Sequence, residues 1–85
     1  MKVIIIGGGQ TGAYIANILL TNHCEVTVIE NREQIIEKLK RDIPATSILY
    51  GNGTDPNILE KAGIAKADVL AAVTGEDETN LVAST

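Results

Sequence analysis

The sequence has 85 residues, 45% apolar and 21% charged, with 7 Lys and Arg against 11 Asp and Glu for a net charge of -4. This is globular composition with room for one small domain, which excludes a disordered or low-complexity chain. An acidic chain whose only aromatics are Tyr14 and Tyr50 lacks both the cationic surface and the stacking rings of a nucleic-acid binder. Cys24 is the only cysteine and His23 the only histidine, so neither an intrachain disulfide nor the usual Cys/His zinc site can form. A lone cysteine fits a reducing compartment. No apolar run approaches the roughly 20 residues of a membrane span.

In chain order, Val3-Ile4-Ile5-Ile6 is a short continuous β-branched run, the pattern of a strand buried on both faces. It leads into glycines, and from Gln10 to Thr21 apolar residues recur at helical spacing on more than one side. Asn22-His23-Cys24 reads as a surface turn. Val26-Thr27-Val28-Ile29 is a second buried strand, closed by Glu30. Asn31 is expected to cap a second helix, with Gln34 completing a capping box. That helix turns Ile35, Ile36 and Leu39 inward and pairs Glu37 with Arg41 on its wetter side. Thr46 to Tyr50 is more polar and reads as an edge strand. Asp55-Pro56 places an N-cap before a proline at the first helical position, and Gly63 ends that third helix.

Val69 to Val73 is a fourth strand, and Glu76-Asp77 is expected to open a fourth helix through Leu81-Val82-Ala83. The strands begin near residues 2, 25, 46 and 69, intervals that hold a strand, a crossover helix and two short loops. The fold class is therefore α/β: one Rossmann-like, doubly wound domain over residues 1–85, with a parallel sheet in the order 3-2-1-4. No capping residue closes the last helix, so the chain is expected to be the N-terminal part of a longer domain. The outer edge of the fourth strand is then expected to be open to another chain.

The chemistry concentrates at the carboxyl ends of these strands. Gly7-Gly8-Gly9-Gln10-Thr11-Gly12 is a GxGxxG fingerprint that follows a strand and opens a helix. In such a loop Gly7 permits the tight turn, Gly9 lets a diphosphate approach the backbone, and Gly12 lets the helix pack close. Free amides at the helix start attract phosphate oxygens. Glu30 lies 18 residues beyond Gly12, where a carboxylate can accept hydrogen bonds from both adenosine ribose hydroxyls. A 2′-phosphate there would meet a like charge worth about 4 kcal/mol at 4 Å and an effective dielectric of 20, favouring NAD over NADP. Arg32 is an exposed first-turn arginine, a partner for a 2′-phosphate, or a cation across the adenine face. Asn52, Gly53 and Thr54 form either a plain turn before Asp55 or an adenine-reading corner, and Thr74 and Gly75 border the pyrophosphate or second ribose. The cofactor-binding set is Gly7, Gly9, Gln10, Thr11, Gly12, Glu30, Asn31, Arg32, Asn52, Gly53, Thr54, Thr74 and Gly75.

Several stretches together carry a family resemblance: Lys2 to Gly12, Val26 to Glu30, Gly51-Asn52-Gly53-Thr54-Asp55-Pro56, Leu59 to Ile64, and Ala67 to Thr74 with Asp77 to Leu81 behind it. The chain resembles the N-terminal nucleotide-binding domain of Trk and Ktr potassium-transport regulators, the RCK, KTN or TrkA-N domain. The resemblance implies a cytoplasmic, non-enzymatic regulatory domain that binds NAD(H), or ATP and ADP. It implies paired copies and a potassium-transporting membrane subunit as partner, which would hold the domain at the inner face of the membrane. Family members that bind ATP and ADP often carry arginine where this chain has Gln10, and Asn52 stands where aspartate is common.

The alternative is the cofactor-binding start of an NAD-dependent oxidoreductase. Hydride transfer needs a substrate domain and an acid or base near the nicotinamide. His23 sits at the wrong end of the sheet for that, and nothing cationic beside Cys24 activates its thiol. A purely structural module gives no reason for Gly9 and Glu30 to occur together.

Overall fold

The β-branched runs form the middle of a sheet in the computed structural model, which describes residues 1–74 and 78–83. The elements are β1 (Lys2–Ile6), α1 (Gln10–Thr21), β2 (Glu25–Glu30), α2 (Glu33–Asp42), β3 (Ile48–Tyr50), α3 (Pro56–Ala62), β4 (Val69–Thr74) and β5 (Glu78–Ala83). The sheet order is β3-β2-β1-β4-β5. The first four strands are parallel, in the expected order 3-2-1-4, with Ile5 beside Val28 on one side and Ala71 on the other.

Period-two alternation sends β1 into two cores. Val3 and Ile5 join Val26, Val28 and Ala71 under α1 and α2, where Ala16 and Leu39 are buried. Ile4 and Ile29 face the opposite side, against Ala62, Ala67 and the partly buried Ile58 and Leu59 of α3. Helices therefore cover both faces, as a parallel sheet requires.

Local chemistry sets the helix ends. Asp55 caps α3 by accepting from the Asn57 amide at 2.9 Å, Pro56 follows, and Gly63 closes the helix with φ of 86°. At the end of α1, the Cys24 and His23 amides donate to the Leu19 and Leu20 carbonyls. This is a Schellman closure, with exposed His23 at φ 63° in the place glycine usually takes.

Four expectations are corrected. Asn31 does not cap α2: the Glu30 carboxylate holds the Asn31 and Arg32 amides, the chain stays extended through Arg32, and the helix starts at Glu33 with Arg32 in the cap position and no side-chain cap. Glu37 pairs with Lys40 at 3.7 Å, one position nearer than Arg41. The edge strand is shortened to Ile48–Tyr50, since Ala45–Ser47 forms a 3-10 turn in which the Ser47 amide bonds the Pro44 carbonyl. The largest change follows β4, where Glu78–Ala83 is a strand antiparallel to it, from Val69 opposite Ala83 to Thr74 opposite Glu78. A helix of so few residues is marginal alone, whereas the edge of β4 offers a ladder of backbone groups. That edge is thus paired within the chain. The expected opening of the fourth helix at Glu76-Asp77 lies outside the described residues.

Leu39 is 1% exposed and lies where α2 meets the glycine loop, since a Cβ on Gly8 would strike its side chain. Leu39→Ala is expected to destabilise the domain by about 2–5 kcal/mol, read from urea unfolding midpoints.

Candidate functional site

The end of β1 and the start of α1 are shaped by glycines. Gly7 has φ of 101°, a conformation side chains disfavour, and a Cβ there would collide with the Val73 carbonyl oxygen of β4. A Cβ on Gly12 would collide with the Gly7 carbonyl oxygen, so α1 can approach its own loop only because Gly12 has none. Gly9 is different, as a Cβ would meet nothing within 4 Å. The open space beside its backbone is what close approach of a ligand requires.

Glu30 ends β2 as a buried carboxylate, 4% exposed. Its Oε1 accepts from the Gly8 amide at 2.8 Å and from Arg32 Nη2 at 3.1 Å. Its Oε2 accepts from the Asn31 and Arg32 amides, each at 2.9 Å, and from Arg32 Nε at 3.0 Å. Burial, the largest single influence, would push this carboxyl up. The Arg32 guanidinium and the Gly8 and Arg32 amides together outweigh it and bring the carboxyl down from 4.5 to about 2. The same pairing raises Arg32 above its ordinary value.

Over the carboxyl ends of β1, β2 and β3 lies an open crevice of about 310 Å³. Gly7, Glu30, Asn31, Arg32, Asn52 and Gly53 all line it, so six of the sequence candidates meet in one place. Gly9 and Gln10 border a separate depression between α1 and α2, with Lys38 and Arg41 on its far side. Thr11 is exposed on the first turn of α1, and Gly12 is buried. Thr54 is absorbed in a turn: its amide and hydroxyl both donate to Asn52 Oδ1, at 2.9 and 2.8 Å. The Nδ2 group of Asn52 takes no part in that turn. Thr74 is the last residue of β4, and Gly75 lies outside the described residues.

Arg32 is neither a first-turn residue nor a free one, as its side chain is 62% exposed yet holds both Glu30 oxygens. Ile6, Ile29, Gly51 and Val73 also line the crevice without having been singled out. Their positions at or next to the last residues of strands were the available signal. Gly8, an unassigned position of the fingerprint, supplies the amide that joins the loop to Glu30. Among the described residues no group of three or more His, Cys, Asp or Glu could hold a metal ion. No helix there is long and apolar enough to cross a membrane.

A parallel sheet in this order, a glycine turn into the first helix and an acid closing the second strand define a Rossmann-like domain of the nucleotide-binding class. The TrkA-N domain model matches residues 3–85, and the chain belongs to that family. A Trk system potassium uptake protein TrkA homolog from Methanothermobacter thermautotrophicus is 44% identical over 82 residues, covering 96% of this chain and 38% of that protein. The TrkA homolog 2 of Methanosarcina mazei is 40% identical and the TrkA protein of Vibrio alginolyticus 36% identical, each over 83 residues and 98% of this chain. The chain spans 18% of the length of each of these two proteins.

The depressed Glu30 pKa has a defined consequence for acid stability. In the unfolded chain this carboxyl takes up a proton near 4.5, whereas in the fold it does so near 2. Its contribution is fully present above about pH 4.5 and is lost as pH falls toward 2. At about 1.4 kcal/mol per unit, trimmed because solvent reaches Arg32, this is on the order of 2–3 kcal/mol. Urea midpoints of wild type and Glu30→Gln are expected to differ most at pH 5–7 and to draw together as pH falls toward 2.

Proposed function

We propose that this domain binds NAD(H), or an adenine nucleotide, at the carboxyl edge of its sheet and thereby regulates a potassium transport system. The observation that carries the reading is Glu30, an ionised acceptor at the ribose position of the fold, bonded at 2.8 Å to the loop amide of Gly8. The acid and the phosphate loop are thus one rigid unit. The open space beside Gly9 supports the fit, because a diphosphate needs bare backbone there. Amides at the start of α1, around Gly9, Gln10, Thr11 and Gly12, would hold the diphosphate. Glu30 would accept from the ribose hydroxyls, with Asn31 and Arg32 beside it. Asn52, Gly53 and Thr54 would border the adenine, and Thr74 and Gly75 the second ribose. Gln10, being neutral, adds no charge for a third phosphate, which favours the dinucleotide over ATP.

The relatives' names supply the wider setting, a system for potassium uptake. In that setting the domain is a cytoplasmic, non-catalytic sensor, working as paired copies beside a potassium-transporting membrane subunit. Bound nucleotide favours one arrangement of the pair over another. The effect on transport can be no larger than the difference in nucleotide affinity between the two arrangements.

Calorimetric titration tests the binding. NADH is expected to bind at least tenfold more tightly than NADPH, and Glu30→Ala to weaken NADH by tenfold or more. Equal affinities for the two cofactors, or an unaffected Glu30→Ala variant, would remove the reading. Oxidation of a small hydroxy acid with NAD would favour the oxidoreductase alternative.

Gly9→Ala separates binding from folding. Its φ of -67° suits alanine and its Cβ enters open space. Unfolding midpoints are expected to stay within about 1 kcal/mol of wild type, while NADH binding falls at least tenfold.

A further inference from the structure

Glu30 has five hydrogen-bond donors in this structure. A carboxylate offers about four lone-pair positions, so this one has no capacity left for further donors. Three of the five are backbone amides, of Gly8, Asn31 and Arg32, fixed by the loop and the chain around them. The other two are Arg32 Nε on Oε2 at 3.0 Å and Arg32 Nη2 on Oε1 at 3.1 Å. These form a two-pronged contact, one N–H to each oxygen, and a vicinal sugar diol would present the same pattern through two O–H groups. Arg32 also lines the crevice and is 62% exposed, so its head can leave into water without unpacking a core.

We propose that Arg32 is an internal occupant of the sugar position, holding both Glu30 oxygens when no nucleotide is bound and exchanging places with the ribose hydroxyls when one binds. The inference rests on the nucleotide reading above and adds a specificity-determining residue to it. Exchange conserves the count, since three amides and two hydroxyls again make five donors. Only the fraction of molecules with Arg32 turned away is competent, and apparent affinity is reduced by that fraction. A pair with one exposed partner is worth little enough to be displaced and enough to be felt. Arg32 also contributes a positive charge that a diphosphate would sense, so the competition is cleanest with an uncharged ligand.

The test titrates wild type, Arg32→Ala and Arg32→Lys with adenosine and with NADH. Arg32→Ala is expected to bind adenosine roughly three- to tenfold more tightly than wild type. Arg32→Lys is expected to fall between them, because a point ammonium does not span two oxygens as a planar fork does. In wild type, the Arg32 Nε–H resonance is expected to move to the free-arginine position as adenosine saturates. That measurement needs no variant to fold. Adenosine affinity unchanged or weakened in Arg32→Ala, or an Nε–H resonance that stays in place at saturation, overturns the role of Arg32 and leaves the nucleotide site standing. Failure of adenosine and NADH to bind wild type and Arg32→Ala alike overturns the nucleotide reading, and this inference with it.

Discussion

A carboxylate withdrawn from water costs several kcal/mol unless its oxygens are met by donors. Glu30 is such a group, and the donors that meet it come from different parts of the chain. The Gly8 amide belongs to the loop after β1, and the Asn31 and Arg32 amides lead into α2. The charge can be buried only when β1, β2 and the entry to α2 are all in register. Satisfying one side chain therefore positions the whole carboxyl edge of the sheet on which the crevice sits. The arrangement also explains why Glu30 stays ionised although burial opposes it, since backbone dipoles and a guanidinium act together on two oxygens.

Around that centre the glycines act by what they lack. Gly7 fits against the Val73 carbonyl, and Gly12 fits against Gly7, so β4, the loop and α1 close on one another at van der Waals distance. Gly9 alone points a missing Cβ into free space. Two of the three fingerprint glycines are thus explained by packing within the chain. The third meets no such contact: Gly9 stands at the N-cap of α1, where glycine is well accommodated, and leaves open space beside the backbone.

Much of this was legible in the residues. Continuous β-branched runs at Val3–Ile6 and Val26–Ile29 announced strands buried on both faces, their spacing implied parallel crossovers, and the order 3-2-1-4 followed from the doubly wound fold that the glycine fingerprint marks. Asp55-Pro56 and Gly63 marked the ends of α3 because capping is a local interaction. What escaped was non-local or competitive. Asn31 has the chemistry of a cap, but the grip of Glu30 on the Asn31 and Arg32 amides keeps the chain extended one residue further and moves the cap position to Arg32. Arg32 offered three readings, and the one realised, a grip on Glu30, depends on a side-chain path that spacing does not encode. The segment 78–83 carries apolar residues compatible with either period, and the edge of β4 decided for a strand. Val73 entered the site through its place at the end of a strand, where its chemistry gave no hint.

The alternation along β1 has a dynamic consequence. Val3 and Ile5 belong to one core and Ile4 and Ile6 pack into the other, while both neighbours of β1 in the sheet are parallel strands. Neither layer can melt while the other survives, because each would have to give up the same central strand. Amide protons in β1 should therefore exchange with solvent only through global opening, at the slowest rate the molecule possesses. The glycine loop hangs directly from this strand, so the crevice beside it is anchored to the last part of the protein to come apart.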